Sequence, residues 1–240
     1  MTKKPLYDSI IFSPHPDDAV FSLGATLLAG FLGKVKVINI FSTSRYTIHA
    51  MGDKASVTAK RIEEDRKAME YLNVDVIYWN YPDSSLRPQY KDEDHYLDPG
   101  NNPEDDVCYQ HVYSSIKNEF IENNGTFFFA PLGLGTHIDH TIIACACSSV
   151  QNTAIAYYED GSYFTGNPAD ARRFADILQL TDVLSIDPGN LNKKMELVNF
   201  YSSQLNTEIY SSLKEAYIQS SGERIWFAKK KGVRFPLLYF

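Results

Sequence analysis

Short apolar runs alternate with longer amphipathic segments along most of the chain. Runs rich in β-branched and aromatic residues predict strands, and the longer amphipathic segments predict helices. The predicted strands span residues 9–12, 35–41, 74–79, 126–130, 153–158 and 224–228. The predicted helices span residues 18–32, 56–72 (with Ser56 as its cap), 107–121, 141–150, 192–205 and 213–219. This alternation predicts an α/β fold, a Rossmann-like three-layer α/β/α arrangement around a mostly parallel sheet.

Two irregular stretches interrupt the alternation, at residues 42–55 and residues 80–105. Loops of this length in a compact domain are uncommon and are usually either functional or disordered. Both follow predicted strands, so we expect them at the carboxyl ends of the strands, where open α/β sheets bind ligands. The alternative for residues 80–105 is a disordered surface insertion. No repeat or linker divides the sequence, so residues 1–240 are expected to form a single domain.

Composition narrows the class of protein. The chain has 240 residues, 44% of them hydrophobic, and 23 Lys and Arg against 30 Asp and Glu give a net charge of −7. The apolar content excludes a disordered chain, and a domain of this size buries enough surface to fold without a metal. The acidic balance argues against a nucleic-acid or anionic-membrane partner. The uncharged run at residues 19–33 is too short to span a bilayer.

The cysteines and the N-terminal residues indicate the cellular compartment in which the protein is expected. Three cysteines form no even-numbered disulfide framework, and the N-terminal residues lack the apolar core of a signal peptide. We therefore expect a reduced, cytoplasmic protein. The apolar residues 234–240 are expected to pack on the body of the domain or on a second subunit of a homo-oligomer.

The first segment with candidate chemistry is SPHPDD, residues 13–18, directly after the first predicted strand. Its two prolines favour an extended backbone, and its two acids stand where a helix begins. A proline-rich turn with Asp17 or Asp18 as helix N-cap would explain the acids. It would not explain His15, which stands beside two carboxylates at the carboxyl end of a strand.

The second segment is PLGLGTHIDH, residues 131–140, which follows a wholly apolar strand. His137 and His140, three positions apart, fall on one face of a helical turn. Gly133 and Gly135 allow the loop to bend close to a ligand. Taken alone, such a pair is also typical of two structural histidines at a helix start.

The two segments together favour a metal site, because both follow strands of one parallel sheet and can meet at one edge. They offer two histidines and one carboxylate, the pattern of catalytic zinc, which leaves a position open for water. The spacing offers His15 and Asp18 from the first segment and His140 from the second. Asp17 and His137 would then lie beside the metal, where acid/base and electrophilic groups are needed.

The pair of motifs, HPDD at residues 15–18 and HIDH at residues 137–140, resembles the LmbE-like (PIG-L) family of zinc-dependent N-acetylglucosaminyl deacetylases and related amidases. Residues 61–72 are similar to the family's helix after the second strand, and residues 131–137 to its approach to the second motif. The resemblance covers residues 8–160 well and the remaining residues poorly.

The resemblance implies a role for each matching residue. His15, Asp18 and His140 match the ligands of one Zn²⁺ per chain, with another divalent metal such as Fe²⁺ as an alternative. Asp17 matches the general base, and His137 the histidine that stabilises the oxyanion.

Two further residues match with roles outside the metal shell. Asp139 matches a partner that orients a ligating histidine, and Arg61 matches a substrate-contacting arginine. For Arg61 the alternative is a solvated helix charge. The sequence departs from many relatives at Ala19, where they have Glu, and in reading HIDH instead of HPDH. These departures leave the proposed site residues in place but do not support the transfer of a particular substrate.

The sequence thus predicts a metal-dependent hydrolase that removes an N-acyl group, N-acetyl above all, from an amino sugar or a glycoside. Either Asp17 or His137 would protonate the departing amine. One alternative is a metal-dependent sugar-binding or inactive relative, although binding alone would need neither Asp17 nor His137. Another is an Fe(II) oxygenase with the same ligand types, which suits the predicted strand–helix alternation less well.

Overall fold

The computed structural model describes residues 5–150, 154–164 and 167–228, which form one sheet with helices on both faces. The strands in this part of the chain are β1 Ser9–Ser13, β2 Val35–Asn39, β3 Asp75–Tyr78, β4 Phe127–Pro131, β5 Ile155–Tyr158, β6 Asp182–Ile186 and β7 Glu223–Phe227. Their order across the sheet is β3-β2-β1-β4-β5-β7-β6. Neighbours from β3 to β5 pair parallel, and β7 is antiparallel to both β5 and β6. The predicted mostly parallel α/β fold is confirmed.

The helices pack on the two faces because successive strand side chains point to opposite sides of the sheet. They are α1 Asp18–Leu28, α2 Lys54–Leu72, α3 Glu93–Tyr96, α4 Tyr109–Glu122, α5 Ile138–Ser148, α6 Pro168–Ile177, α7 Leu191–Val198 and α8 Thr207–Gln219. On β1, Ile10 and Phe12 join the core beneath α4 and α5, whereas Ile11 joins the core beneath α1, α2 and α7.

Several boundaries differ from the sequence-based expectation. Strand β6 and helix α6 were not predicted. Strand β6 lies at the edge of the sheet and alternates half-buried and exposed positions. The predicted helix 192–205 ends as α7 at Val198. Helix α2 begins two residues earlier than expected, and Asp53 instead of Ser56 caps it, accepting a hydrogen bond from Ser56 N at 2.9 Å.

Helix α1 is kinked at Leu23, whose φ and ψ of −126° and 15° are not helical. The amides freed by the kink donate to the Glu223 carboxylate at the start of β7, from Ala25 N at 2.9 Å and Thr26 N at 2.8 Å. Lys194 Nζ of α7 donates to the same carboxylate at 2.7 Å. The helix that carries Asp18 is therefore fastened to the antiparallel strand of the sheet.

The two long loops pack against the body of the domain. Ile48 N donates to Ser203 O at 2.9 Å, and Thr43 forms an isolated bridge with Pro82. Residues 80–105 contain α3 and two short 3₁₀ turns, and they bury Tyr96. This arrangement favours the functional interpretation of these residues over a disordered insertion. The expectation for residues 234–240 lies outside the described residues.

The topology places the two motif segments side by side. β1 lies between β2 and β4, and the chain runs from β1 outward to β3 before it crosses to β4 on the other side. Such a reversal leaves a crevice outside the carboxyl ends of the two central strands, the usual ligand site of open α/β sheets. Residues 14–18 follow β1 and residues 132–140 follow β4, so both border this crevice. Among the described residues, no helix has the length and apolar character that crossing a membrane requires.

Candidate metal and active site

The segment after β1 folds into a tight turn that pairs His15 with Asp18. Asp18 is the first residue of α1, and its Oδ2 accepts a hydrogen bond from His15 N at 2.9 Å and lies 3.0 Å from His15 Nδ1. Asp17 stands at the N-cap position but makes no side-chain capping hydrogen bond. A simple helix-capping role therefore does not account for Asp17.

The segment after β4 reaches the crevice through a run of left-handed backbone. Gly133, Gly135 and Thr136 have φ values of 90°, 75° and 59°. A left-handed conformation is unusual for a β-branched residue such as Thr136. Thr136 Oγ1 donates a hydrogen bond to the carbonyl oxygen of Leu97, which ties this loop to residues 80–105. This loop places His137 at the N-cap position of α5, which begins at the next residue, Ile138.

Side chains from the two segments converge on one carboxylate oxygen. Asp18 Oδ2 lies 3.0 Å from His15 Nδ1 and 3.3 Å from His140 Nε2. The contact with His140 lacks hydrogen-bond geometry, and its Nε2 is a buried atom without a hydrogen-bond partner. Ring nitrogens of His15, His137 and His140 also lie within 4.8 Å of one another. An unpartnered buried nitrogen beside a carboxylate and a second imidazole fits a divalent cation, and two histidines with one carboxylate suit zinc.

His15 and His140 each have a carboxylate on the side of the ring that faces away from Asp18. His140 Nδ1 lies 2.6 Å from Asp160 Oδ1, and His15 Nε2 lies 2.9 Å from Asp139 Oδ2. A histidine whose outer N–H donates to a carboxylate presents its other nitrogen in a fixed direction, the usual support of a metal-ligating imidazole. His15, Asp18 and His140 could therefore hold a metal, with Asp139 and Asp160 as their outer supports.

Asp160 is the part of this arrangement that the sequence analysis did not select. It follows β5 at the carboxyl edge of the sheet, and its Oδ2 accepts hydrogen bonds from Gly133 N and Leu134 N, each at 2.8 Å. A carboxylate directly after a buried strand was the available signal. A carboxylate at a strand end is common, however, and the sequence alone does not show that it faces His140.

Arg61 lies inside the site, contrary to its alternative interpretation as a solvated helix charge. It is only 3% exposed, with Nη2 at 3.4 Å from Asp17 Oδ2. Its Nη1 lies 3.2 Å from Ser44 Oγ and 3.8 Å from Asp83 Oδ2. Asp17 Oδ1 is buried without a hydrogen-bond partner, so this oxygen of the carboxylate remains available to accept a hydrogen bond or a proton.

The two neighbouring carboxylates have strongly different electrostatic surroundings. Burial, together with repulsion from Asp18, raises the pKa of Asp17 to about 7, although Arg61 opposes the shift. Burial would also raise the pKa of Asp18, but the neighbouring His140 and His15 outweigh it and hold the pKa well below its usual range. Adjacent acids whose pKa values are driven apart are typical of sites that separate a ligand or charge-stabilising role from an acid/base role.

The histidines divide in the same way. Burial lowers the pKa of His15, but the hydrogen bonds with Asp139 and Asp18 outweigh it and raise the pKa to about 9. The pKa of His137 is held well below its usual range by burial. His137 Nδ1 accepts a hydrogen bond from Asp139 N at 3.2 Å. In a neutral imidazole the proton then resides on Nε2, which makes His137 a hydrogen-bond donor.

A cavity of about 200 Å³ opens onto these groups. Its aromatic wall includes Tyr96 and Tyr163. The ring centre of Tyr96 lies 4.9 Å from that of His137, and the ring centre of Tyr163 lies 5.1 Å from that of His140. Gln204 also lines it, so the poorly matched C-terminal third contributes to the site. The aromatic residues at the end of β5, Tyr157 and Tyr158, are buried in the core and do not form this wall.

All seven residues predicted from the sequence lie at or directly behind this cluster, while the roles assigned to them remain predictions. They are His15, Asp17, Asp18, Arg61, His137, Asp139 and His140. The fold and the cluster define an α/β protein with a candidate metal site at the switch point of its sheet.

The comparison with protein families identifies this class. The model described as PIG-L, GlcNAc-PI de-N-acetylase, matches residues 10–151, more than half of the chain. The chain belongs to the PIG-L family. No curated protein sequence matches the chain.

Solved structures share the fold at low sequence identity. A deacetylase from the teicoplanin biosynthesis pathway is 24% identical with a TM-score of 0.71, over 91% of this chain and 96% of its own. N,N'-diacetylchitobiose deacetylase from Pyrococcus horikoshii is 17% identical with a TM-score of 0.51, over 86% and 74%. GalB, a 4-carboxy-2-hydroxymuconate hydratase from Pseudomonas putida, is 12% identical with a TM-score of 0.61, over 95% and 100%. The last of these shows that the fold also occurs in an enzyme named for another reaction.

Proposed function

We propose that this protein is a metal-dependent N-deacetylase that hydrolyses the amide of an N-acetylated amino sugar or sugar-containing small molecule. The observation that carries the proposal is the position of Asp17. Its carboxylate lines the cavity beside His15 and Asp18 and has a buried oxygen without a partner. Membership of the PIG-L family and the deacetylases among the similar structures support the same reaction class.

The proposed metal is Zn²⁺, one ion per chain, held by His15, Asp18 and His140. A zinc ion in such a site lowers the pKa of a bound water towards about 7 and polarises a carbonyl. Asp139 and Asp160 fix the two imidazoles from behind, at 2.9 Å and 2.6 Å. The preference for zinc over another divalent metal rests on the ligand types, two nitrogens and one oxygen.

Asp17 is proposed to carry the proton. In the first step Asp17 accepts a proton from the attacking water, and a new C–O bond forms at the acyl carbon. Arg61, 3.4 Å from Asp17, restrains the carboxylate on the side away from its free oxygen. When the C–N bond breaks, the proton held by Asp17 passes to the departing amine, so that acetate and a free amine are produced.

His137 is proposed to stabilise the charge that develops on the acyl oxygen. Its Nδ1 accepts from Asp139 N, which leaves Nε2–H as its donor. A donor of this kind contributes roughly 3–4 kcal/mol to the transition state in other acyl-transfer enzymes. Because loss of its only ring proton would create an anion, neutral His137 is a poor acid, and Asp17 is the better source of the proton for the amine.

The proposed substrate is a hydroxyl-rich molecule of which one sugar unit enters the cavity. Arg61 and Asp83 supply a donor and an acceptor in the cavity wall, and Tyr46 and Tyr96 supply apolar ring faces. A cavity of about 200 Å³ accommodates a single small unit, so the rest of a larger glycoside would extend outside. Sugars are bound well by such a mixture of aromatic faces and fixed polar groups.

The test combines metal analysis with a product assay. Purified protein, loaded with Zn²⁺ and dialysed, is assayed for acetate release from a panel of N-acetylated amino sugars and their glycosides. We expect about one zinc per chain, and acetate release that falls by about 10²–10⁴-fold in Asp17→Asn while zinc is retained. Asp176→Asn, an exposed carboxylate on α6, is the matched control that should leave both unchanged.

Two results would contradict the proposal. Near-normal turnover by zinc-loaded Asp17→Asn would remove Asp17 as the base. Zinc binding without acetate release from any member of the panel, combined with tight binding of the same sugars, would identify a sugar-binding relative instead of a deacetylase.

A further inference from the structure

Arg87 is a deeply buried cation near the site, and the proposed reaction does not use it. It lies in the loop after β3 and is 2% exposed. Its Nη1 lies 2.9 Å from Asp106 Oδ1, and its Nη2 donates to Asp139 Oδ1. The side chains of both carboxylates are fully buried, so this ion triad is closed to solvent.

The far end of the triad is held in place by its own hydrogen bonds. Asp106 accepts from Tyr90 OH at 2.7 Å and from Cys108 N at 2.7 Å. The guanidinium of Arg87 also lies over the rings of Phe41 and Tyr90, at 5.1 Å and 5.0 Å from their centres. Arg87 therefore has little freedom to move relative to the sheet.

The near end of the triad reaches a candidate metal ligand through Asp139. While Oδ1 of Asp139 is held by Arg87, Oδ2 lies 2.9 Å from His15 Nε2 and accepts from Ser84 N at 3.0 Å. A carboxylate is planar, so holding one oxygen fixes the direction of the other. The ring of His15 is thereby oriented with Nδ1 towards Asp18.

We propose that Arg87 is a positioning residue that sets the metal affinity of the site by fixing Asp139 against His15. The inference rests on the proposed metal-dependent function. Outer partners of metal-ligating histidines commonly change metal affinity when they are replaced. Arg87 extends that role one residue further, from the direct partner of the histidine to the residue that orients the partner.

The experiment measures metal binding directly and does not depend on a substrate. Zinc affinity of the full chain is determined by competition with a chromogenic chelator, and the visible spectrum of the Co²⁺-loaded protein reports the ligand geometry. The variants are Arg87→Met, Arg87→Lys, Asp139→Asn and the double variant Arg87→Met/Asp139→Asn. Lys36→Met is the matched control, because it removes a largely buried ion pair with Glu119, 2.7 Å long, outside the site.

We expect Arg87→Met to weaken zinc binding about 10- to 100-fold and to alter the Co²⁺ spectrum. Arg87→Lys keeps the charge but cannot bridge two carboxylates in the same way, so it should show a smaller loss. In the Asp139→Asn background, Arg87→Met should cause no further loss, since its effect passes through Asp139. Lys36→Met should bind zinc like the wild type, even if it unfolds more easily.

Wild-type zinc affinity and Co²⁺ spectrum in both Arg87 variants would overturn the inference and leave Arg87 as a loop anchor only. If Arg87→Met does not fold, the decision rests on Arg87→Lys, for which unchanged affinity overturns the inference and reduced affinity with an altered spectrum supports it. Absence of zinc binding by the wild type would overturn the proposed function itself, together with this inference. The two failures are therefore distinguishable.

Discussion

Asp160 and His140 form the shortest of the carboxylate–imidazole contacts that support the candidate metal site, with Oδ1 at 2.6 Å from Nδ1. The second oxygen of Asp160 accepts the amides of Gly133 and Leu134 in the loop that leads to His137. One carboxylate thus orients a candidate ligand and shapes the turn that precedes it. Asp160 therefore couples the orientation of His140 to the shape of the loop before His137.

Replacing Asp160 should therefore affect both metal binding and stability. In Asp160→Asn, the amide nitrogen of the new side chain would face either His140 Nδ1–H or the two backbone donors, so one set of hydrogen bonds is lost. We expect zinc affinity to fall about 10- to 100-fold and the free energy of unfolding to fall by about 1–3 kcal/mol. Chelator competition and urea denaturation measure the two effects, with Asp176→Asn as the control. Wild-type zinc affinity in Asp160→Asn would show that His140 does not need this support.

Replacing His137 and His140 should separate catalysis from metal binding. His137→Gln should retain zinc and lower kcat by about 10²–10³-fold, because only a transition-state donor is weakened. His140→Gln should lose zinc. Zinc content and steady-state kinetics of the two variants, compared side by side, test this assignment. Loss of zinc in His137→Gln would instead favour the three-histidine grouping, in which His137 is itself a ligand.

The Glu223–Lys194 pair should contribute strongly to the stability of the fold. Both side chains are buried, and Glu223 also accepts the amides at the kink of α1. Glu223→Gln leaves the Lys194 ammonium uncompensated, and we expect a loss of about 3–5 kcal/mol in the free energy of unfolding. Adding Lys194→Met should recover part of it.

An exposed ion pair on α2, Lys67 with Glu63, serves as the control for the buried pair. Lys67→Ala removes a contact of 3.5 Å with Glu63 on the surface of α2, and it should change the free energy of unfolding by no more than about 0.5 kcal/mol. Equal effects of Glu223→Gln and Lys67→Ala in urea denaturation would contradict the expected importance of the buried pair.

Asp65 should make stability depend on pH in an unusual direction. Burial raises its pKa to about 6, although hydrogen bonds from Tyr78, Tyr201 and Asn39 oppose the shift. Because the folded state binds this proton more tightly than the unfolded state, Asp65 contributes stability below about pH 4, which is lost as pH rises through about 6. The wild type should therefore gain about 2–3 kcal/mol relative to Asp65→Asn between about pH 7 and about pH 4.

The measurement is urea denaturation of the wild type and Asp65→Asn at several pH values. The hydrogen bonds altered by the Asp65→Asn substitution cost the same at each pH, so only the change in the difference between the two proteins is informative. A difference that stays constant from neutral pH to about pH 4, or that changes in favour of Asp65→Asn, would contradict the expected direction.

The sequence predicts the central part of this fold well because its signals are local. Apolar runs such as residues 126–130 and the polar motifs directly after them predict both the strands and the edge at which the motifs meet. Strand β6 escapes prediction because an edge strand with alternating exposed positions lacks a continuous apolar run. The capping of α2 by Asp53 instead of Ser56 depends on loop geometry that the helical pattern does not contain.

The site shows the same division. The candidate ligands and Asp139 lie in two compact motifs with recognisable spacing, whereas the other supports come from distant positions. Asp160 is 20 residues from His140, and Arg87 is 52 residues from Asp139. Neither contact has a sequence pattern of its own, because only the folded sheet brings these residues together. Arg61 could be placed from the sequence only through resemblance, and its burial against Asp17 is a tertiary property.

The fastening of α1 to β7 has a consequence for the order of events during synthesis. Glu223 is 198 residues from Ala25, so the helix that carries Asp18 gains its support only after almost all of the described chain has left the ribosome. A nascent chain that ends at residue 151 would contain every candidate ligand but would lack Asp160, Lys194 and Glu223. Contacts of such long range form late and slow folding. We therefore expect the metal centre to mature after translation of the C-terminal third, and truncated chains to acquire metal poorly.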